Sequence, residues 1–420
     1  MGSVRLGPWA RLSARVAVAS TVSLTVLVMT ANLVLAFGTK APCLGRMVHG
    51  VMPGYCYSDF QMLFVARRLG EHIFPYVHGL YTTGPSGSVF IGHGELEYPV
   101  LTGLLVWLAA LPVHTATGFF LTNAAVLSPF GLASAWLLAR MSGRKALFFA
   151  ASPAVALYGF INWDLVPVAL AVLGVYLWWR QRPYWAATCF AVGGCAKLWP
   201  AFFLVPLVAE LVWQRDNGRA VRVCGIAAGF VAATNLPFAI INFRGWFAPF
   251  AYQAALPISY GTSLWDWDGH ALGVGAGNVA SSLVVLVGFA VLAVMGWRRA
   301  DRDGVFPLVQ TGAAMVFWYV LTAKDNSPEY VLWMVTFFAL VRLKPQLWAQ
   351  LGLLSLALSV DFISAASWVP AAQFVVACWQ GAFLIIAVRE VMRAVTVFEP
   401  VPTEVVVGAR AFGGWRVEAV

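Results

Sequence analysis

Long blocks of apolar residues, separated by short Arg-rich or Gly/Pro-rich breaks, run through almost the whole chain. An α-helix needs about 20 apolar residues to cross the hydrocarbon core of a bilayer, so the 420 residues accommodate about twelve crossings. The pattern predicts an all-α polytopic membrane protein. With 60% hydrophobic and 11% charged residues, the composition is far from that of soluble domains. It excludes a soluble dehydrogenase, a nucleic-acid-binding protein and a fibrous protein.

The formal net charge of +9 comes largely from small basic clusters at the ends of apolar blocks. Such clusters mark the cytoplasmic side of membrane helices, so the charge indicates orientation, and no nucleic-acid partner is expected. One inconsistency remains. The first long loop is expected outside, and two apparent helices between Pro99 and Arg140 would return the chain to the outside. The cluster at Arg140 should be cytoplasmic, so one of the two helices is re-entrant or one cluster faces out. The clusters are Arg140/Arg144/Lys145, Arg180/Arg182, Arg215/Arg219/Arg222, Arg298/Arg299/Arg302, Arg342/Lys344 and Arg389/Arg393.

The domain plan follows from the apolar blocks and the polar segments between them. An apolar run at about 16–37, preceded by Arg5, Arg11 and Arg15, exceeds a signal-peptide core and predicts a retained first helix with a cytoplasmic basic end. We expect one integral membrane domain at 1–392, with a first long loop at 38–97 and a second long loop at 242–275, both outside. Residues 393–420 are expected to form a loosely ordered cytoplasmic tail.

The first long loop is polar and aromatic, and loops of this length usually carry function. Apolar residues at helical spacing between Asp59 and Phe74 predict a helix that lies in the membrane interface. Several later blocks, between residues 100 and 213, contain only about fifteen residues, too few to span the bilayer. Such short helices occur where they are paired, broken or surround a water-filled cavity.

The second long loop is rich in aromatic residues, and two interpretations remain open. The rings suit an interfacial belt, or they form a lid whose faces stack on a sugar. These residues are Trp246, Phe247, Phe250, Tyr252, Tyr260, Trp265 and Trp267.

Two of the six cysteines, Cys43 and Cys56, lie in the first long loop. A disulfide between them would contribute about 3 kcal/mol if oxidised, and the sequence leaves its formation open. The other four lie in apolar blocks, where a thiol behaves as a small hydrophobe. No Cys or His spacing typical of a metal site is present.

Charged side chains in or beside membrane helices are costly, so each is a functional candidate. Asp59 is either a general base for an acceptor hydroxyl or a helix N-cap. Glu97 either binds sugar hydroxyls or interacts favourably with the positive end of the dipole of the next helix. Asp361, His93 and His270 complete the set without a specific role.

A second group of polar residues interrupts the later apolar blocks. Asn162-Trp163-Asp164 separates two of them, and Lys197 stands alone between two others. Lys197 either pairs with Asp164 or receives a phosphate as a point charge. Residues 324–330 form a similar polar segment, in which Lys324 either meets a phosphate or belongs to an ordinary outer loop.

The order and spacing of these motifs over about residues 15–340 resemble the GT-C superfamily of membrane glycosyltransferases. The resemblance is to the bacterial polyprenol-phosphate-mannose-dependent α-mannosyltransferases of the actinobacterial envelope. It implies a GT-C-type bundle of about twelve helices, whose first outer loop carries interfacial helices. The carrying motifs are Tyr57-Ser58-Asp59-Phe60, Phe74-Pro75-Tyr76, Glu97-Tyr98-Pro99, Asn162-Trp163-Asp164, Lys197-Leu198-Trp199-Pro200 and Ser327-Pro328-Glu329-Tyr330-Val331-Leu332-Trp333.

By this resemblance Asp59 takes the position of the family's catalytic aspartate, and Lys197 lies near the lipid-phosphate site with the segment from Ser327 to Trp333. The implied reaction moves mannose from a polyprenyl phosphate to a lipid or glycan acceptor on the outer face of a bacterial plasma membrane, without a metal or cofactor. Glu329 and Tyr330 stand where the inositol-mannoside enzymes carry histidine, so the sugar and the acceptor are left open. The expected substrate-binding residues are Glu97, Tyr98, Asn162, Asp164, Lys197, Lys324, Glu329 and Tyr330.

Two hypotheses from other classes compete with a transferase. A polytopic transporter or lipid flippase would use Asp164 and Lys197 as an ion or proton relay. The absence of an evident internal repeat weakens an inverted-repeat transporter. A scaffold subunit would have no chemistry of its own.

Overall fold

The computed structural model describes residues 8–45, 56–84, 88–256, 260–261, 265, 273–363 and 370–398. Predictions that concern Arg5, Trp267, His270 and residues 399–420 fall outside this part of the chain. Helices dominate the described residues. In chain order they are α1 (Pro8–Lys40), α2 (Asp59–Ala66), α3 (Val100–Ala110), α4 (Ala116–Ser142), α5 (Leu147–Ala150), α6 (Pro153–Tyr158), α7 (Leu165–Trp179), α8 (Pro183–Ala196), α9 (Leu204–Trp213), α10 (Asn217–Ile241), α11 (Phe243–Ala255), α12 (Val274–Asp303), α13 (Leu308–Thr322), α14 (Val331–Phe338), α15 (Pro345–Ile363) and α16 (Pro370–Arg393).

Five helical segments among the described residues are long and apolar enough to cross a membrane. They are Val18–Cys43, Ala116–Ala150, Asn217–Ile241, Val274–Asp303 and Val375–Arg393. This finding confirms a multi-pass helical membrane protein, but the expected count of about twelve spans is not confirmed. Many apolar blocks instead form short helices and 3₁₀ turns that are buried in the protein, such as α14, whose eight residues are all buried.

The short helix α3 accounts for the inconsistent orientation of the basic clusters. It contains 11 residues and is therefore about 16 Å long, roughly half the hydrocarbon thickness. The next helix, α4, has 27 residues and belongs to one of the five candidate spans. Of the two apparent helices before Arg140, only α4 is long enough to cross.

Two small two-stranded sheets lie in the segments between the helices. Strands β1 (Tyr81–Thr83) and β2 (Val89–Ile91) form an antiparallel hairpin in the first long loop, with Thr82 opposite Phe90. Strands β3 (Tyr260–Gly261) and β4 (Asp325–Asn326) pair in parallel. Trp265 adds a second connection, because its Nε1 donates to the carbonyl of Thr322 at 2.8 Å. The second long loop is therefore attached to the segment that follows α13.

The core lies between α4, α7, α8, α13 and α14, where aromatic rings stack in layers. Trp199 stacks on Trp333 at 5.7 Å between ring centroids, and Phe203 stacks on Phe337 at 5.5 Å. Apolar side chains on α10 and α12, such as Ile240 and Leu286, remain exposed. These outward faces suit contact with lipid.

The beginning of the predicted tail belongs to the folded domain. The amide of Arg342 donates to the carbonyl of Val395, and that of Val397 donates to the carbonyl of Leu340. Phe398 stacks on Trp179 at 5.8 Å between centroids. Residues 394–398 are consequently held against the end of the bundle.

Cys43 and Cys56 form a disulfide with their Cα atoms 5.3 Å apart, which answers the question that the sequence left open. This bond joins the residues after α1 to the segment that leads into α2. A double substitution of both cysteines by serine is expected to lower the free energy of unfolding by about 3 kcal/mol, because the unfolded chain gains loop entropy. Thermal unfolding of the purified protein in detergent measures the loss.

The matched control for the disulfide is Cys224→Ser, since Cys224 is exposed and unbonded. It is expected to unfold at the wild-type temperature. Reductant should lower the unfolding temperature of the wild type and leave the double variant unchanged. Equal stability of the wild type and the double variant would contradict the prediction.

Candidate active site

Asp59 is the first residue of α2, and hydrogen bonds attach it and the preceding residue to a turn that is distant in sequence. Its amide donates to the carbonyl of Ile161 at 2.8 Å. The hydroxyl of the preceding residue, buried Ser58, donates to the carbonyl of Phe160 at 3.1 Å. The start of α2 is therefore attached to the residues immediately before Asn162.

The carboxylate of Asp59 is hydrogen-bonded at both oxygens. The hydroxyl of Tyr57 donates to Oδ1 at 2.6 Å, and the hydroxyl of Tyr98 donates to Oδ2. Ser58 holds the N-cap position of α2, without a side-chain hydrogen bond to the helix. The alternative interpretation of Asp59 as an N-cap is therefore wrong, since its side chain is directed to the two phenols.

Burial raises the pKa of Asp59 to about 6, above the value of about 4 that is usual for aspartate. The hydrogen bonds from Tyr57 and Tyr98 lower this pKa, the nearby charge of Glu97 raises it, and that of Lys197 lowers it. A carboxylate with this pKa is mostly ionised at neutral pH and takes up a proton more readily than exposed aspartate does.

Glu97 forms a two-point ion pair with Arg67. Nε of Arg67 lies 3.1 Å from Oε2 of Glu97, and Nη2 donates to Oε1 at 3.3 Å. Both side chains are largely buried, with 16% of each exposed. Helix α3 begins at Val100, three residues later, so the contact of Glu97 is with Arg67 and not with the first turn of that helix. The dipole interpretation of Glu97 has no support.

Asp164 and Lys197 form the buried ion pair that the sequence analysis left as one of two options. Nζ of Lys197 lies 2.6 Å from Oδ1 of Asp164, whose side chain is only 1% exposed. The same ammonium lies 5.1 Å from the ring centroid of Tyr330 and 5.0 Å from that of Trp333. The charge of Lys197 is therefore placed by one carboxylate and two aromatic faces.

Glu329 is joined to this pair through Asn162. Nδ2 of Asn162 donates to Oε1 of Glu329 at 3.0 Å, and Oδ1 accepts from the amide of Asp164 at 3.0 Å. The backbone donor fixes the orientation of the Asn162 amide, because only its oxygen can accept. Ser327 donates to the other oxygen of Glu329. Burial raises the pKa of Glu329 to about 7, although the charge of Lys197 lowers it.

The structure gives Lys324 a different role from phosphate binding. Its Nζ donates to the carbonyls of Ala254 and Leu256, at 3.2 and 3.0 Å, and so caps the end of α11. Tyr330 stacks on Trp333 with 4.0 Å between ring centroids, and its hydroxyl donates to Oδ2 of Asp325 at 3.3 Å. Tyr330 thus shapes the surroundings of Lys197, whereas the phosphate role of Lys324 is unsupported.

Helix α11 contains several aromatic residues of the second long loop, for which the sequence left two interpretations, an interfacial belt and a lid. Phe243, Phe247 and Phe250 are exposed and pack ring against ring on one side of the helix, which favours an interfacial belt. Tyr252 is affected by the charges of the site, including that of Glu97, and burial raises its pKa. The C-terminal end of α11 is held by Lys324, five residues before Glu329, so this helix lies beside the site.

Tyr57 is a site residue for which no specific role was predicted from the sequence. A signal for Tyr57 was present, because residues two apart on an extended segment point the same way, and Tyr57 precedes Asp59 by two. Among the described residues, no group of three or more His, Cys, Asp or Glu side chains could hold a metal.

These features define a class of protein, the polytopic helical membrane proteins with a carboxylate and lysine cluster between a long loop and the helix bundle. The family model of glycosyltransferase family 87 matches residues 97–323, more than half of the chain. The protein belongs to glycosyltransferase family 87. A search of curated proteins found no match.

Membership in this family confirms the prediction of a membrane glycosyltransferase and does not favour the transporter. The matched segment contains five of the predicted site residues. They are Glu97, Tyr98, Asn162, Asp164 and Lys197. Asp59 precedes this segment, and Lys324, Glu329 and Tyr330 follow it.

Proposed function

We propose that the protein moves a sugar, with mannose as the first candidate, from a polyprenyl phosphate to a hydroxyl of a lipid or glycan acceptor. Asp59 is the general base, and the anomeric carbon is inverted. The observation that carries the proposal is the environment of Asp59. This partly buried carboxylate is hydrogen-bonded by two phenols and is affected by the charge of Lys197.

The proposed transfer reaction needs only one carboxylate. Asp59 takes the proton of the acceptor hydroxyl while the acceptor oxygen forms a bond to the anomeric carbon. The bond between that carbon and the phosphate oxygen breaks on the opposite face, and polyprenyl phosphate leaves with the electron pair. Phosphate is a good leaving group, so no general acid is required. This differs from glycoside hydrolysis, which uses two carboxyl groups.

Lys197 is proposed to receive the phosphate. An ammonium has three N–H donors, and Asp164 accepts one of them at 2.6 Å. The side chain of Lys197 is 18% exposed, so the residue is not completely enclosed by protein. Glu97, Tyr98, Asn162, Glu329 and Tyr330 remain candidates for shaping the substrate cavity, with Asp164 orienting the ammonium.

The site is proposed to face outward from a bacterial plasma membrane. Helix α12 ends with Arg298, Arg299 and Arg302, which the positive-inside rule places in the cytoplasm. Its other end, at Val274, follows the second long loop. Because α11 of that loop lies beside the site, the rule supports an outer location for Asp59.

The pH dependence of transfer provides one prediction. Because the base must be ionised, the rate is expected to rise with pH and to reach half of its maximum near the Asp59 pKa of about 6. Below that pH the carboxyl is protonated, and the rate falls about tenfold per pH unit. Initial rates in detergent at saturating donor measure this profile. A midpoint near 4 would contradict a buried base, and one near 7 would indicate Glu329.

The reaction class and donor are tested with purified protein in detergent. The protein is incubated with radiolabelled polyprenyl-phosphate-mannose and an envelope lipid extract, and the label is followed into new products. A transferase consumes the donor without a membrane gradient, whereas a transporter does not. Transfer from a polyprenyl-phosphate pentose but not from the mannose donor would correct the sugar. No transfer from either donor with the complete extract would overturn the donor class.

A further inference from the structure

The two phenols on Asp59 come from different parts of the first long loop and use different oxygens of the carboxylate. Tyr57 donates to Oδ1 from the extended segment before α2, and Tyr98 donates to Oδ2 from the segment before α3. A carboxylate held at both oxygens has little freedom to rotate. The phenols thus restrict the direction in which its remaining lone pairs point.

Tyr98 is itself held by a series of contacts that ends in the bundle. Its ring meets Trp163 edge to face, with 5.2 Å between centroids. The indole Nε1 of Trp163 donates to Oδ1 of Asn123 at 2.6 Å, and Nδ2 of Asn123 donates to the carbonyl of Phe119 at 2.8 Å. Trp163 and Asn123 are buried. The position of the Tyr98 hydroxyl is therefore set by α4.

The charges around Asp59 act on its carboxylate in opposite directions. Glu97 repels it, while Lys197 attracts it from the side of Asp164. Without the two hydroxyl groups, the carboxylate would lose donors that stabilise its ionised form. The titratable and charged groups that affect Asp59 or are affected by it are Tyr57, Glu97, Tyr98, Lys197, Tyr252 and Glu329.

We propose that Tyr57 and Tyr98 are positioning residues that hold the Asp59 carboxylate in one orientation, ionised, before the acceptor hydroxyl arrives. This inference rests on the proposed role of Asp59 as the base. It assigns a role to Tyr57, and it changes the role of Tyr98 from a sugar contact to a support for the base. Neither hydroxyl needs to touch substrate.

The test uses Tyr57→Phe and Tyr98→Phe, which remove the hydroxyl groups and keep the rings. Each variant is expected to reduce kcat by about 10- to 100-fold, since a hydrogen bond to a charged group is lost. KM should stay near the wild-type value, because no substrate contact is removed. The acid limb of the pH profile should move up by about one pH unit, because the ionised form is less stabilised.

Tyr184→Phe is the matched control. The hydroxyl of Tyr184 accepts a hydrogen bond from Arg222 at 3.5 Å. Tyr184 is the second residue of α8, whose other end precedes Lys197, about 20 Å away along that helix. This variant should retain wild-type kcat and the wild-type pH profile.

Three outcomes would overturn the inference. A higher KM with unchanged kcat in Tyr98→Phe would make Tyr98 a substrate contact. Lower kcat in both variants without a shift of the acid limb would indicate only a structural role. Wild-type kinetics in both would remove the role altogether. The Asp59→Asn variant distinguishes failure of this inference from failure of the proposed function. If Asp59→Asn is active, Asp59 is not the base, whatever the tyrosine variants show.

Discussion

Substitution of Asp59 by asparagine is expected to reduce the rate of sugar transfer by about 10²- to 10⁴-fold, the usual contribution of a general base. The amide cannot take a proton from the acceptor hydroxyl. Its oxygen still accepts from one of the two phenols, and asparagine is well tolerated at a helix N-terminus. We therefore expect an unfolding temperature close to that of the wild type. The measurements are transfer of radiolabelled sugar and thermal unfolding in the same detergent.

Glu71→Gln provides the control for Asp59→Asn, because it makes the same chemical change in the same loop. Glu71 is exposed and pairs with Arg68 at the surface, so its loss should change neither the rate nor the stability appreciably. A fully folded Asp59→Asn protein that transfers sugar at the wild-type rate would refute Asp59 as the base. It would leave the membership in glycosyltransferase family 87 unaffected.

Substitution of Lys197 by methionine is expected to destabilise the fold by about 3–5 kcal/mol, because it leaves the charge of Asp164 buried without its partner. Asp164 is 1% exposed, and its Oδ2 has no hydrogen-bond partner among the described residues. Thermal unfolding and the yield of monodisperse protein measure this loss. The control is Lys344→Met, since Lys344 is 73% exposed and lies 3.9 Å from Glu390. An exposed pair of this kind contributes at most about 1 kcal/mol.

A double variant separates the structural role of Lys197 from its proposed contact with phosphate. Replacing both members of a buried ion pair by apolar residues of similar size is often neutral for stability. Lys197→Met combined with Asp164→Leu should therefore recover most of the lost stability. If Lys197 also receives the phosphate, this variant remains inactive although it is folded. A folded and active double variant would show that Lys197 serves only to neutralise Asp164.

The sequence was most informative where local spacing and chemistry agree. Helical spacing between Asp59 and Phe74 predicted a helix, and α2 covers the first half of that segment, Asp59–Ala66. The cost of an isolated charge among apolar residues identified Asp164 and Lys197 as a candidate pair. The helical membrane class followed from composition. These inferences depend on interactions within one segment or on the large cost of burying charge, and both can be deduced without knowing the fold.

Other features depend on contacts between distant segments, which local patterns do not contain. Lys324 caps a helix that ends about seventy residues earlier in the chain. Glu97 meets Arg67 across the hairpin, and Tyr98 reaches Asp59. The expected count of about twelve spans is not confirmed, for a related reason. Apolar blocks of about fifteen residues satisfy a hydropathy criterion, yet they pack against protein when neighbouring helices supply the cover.

The arrangement of Asp59, Asn162, Lys197 and Glu329 also bears on how the protein is made. Asp59 and the disulfide belong to the first part of the chain to be synthesised, whereas Glu329 lies close to α14. The contact of Asn162 with Glu329 forms only after the ribosome has translated most of the message. A nascent chain therefore contains Asp59 long before the site is complete, and a stalled or truncated translation product ending before Ser327 lacks the partner that orients Asn162.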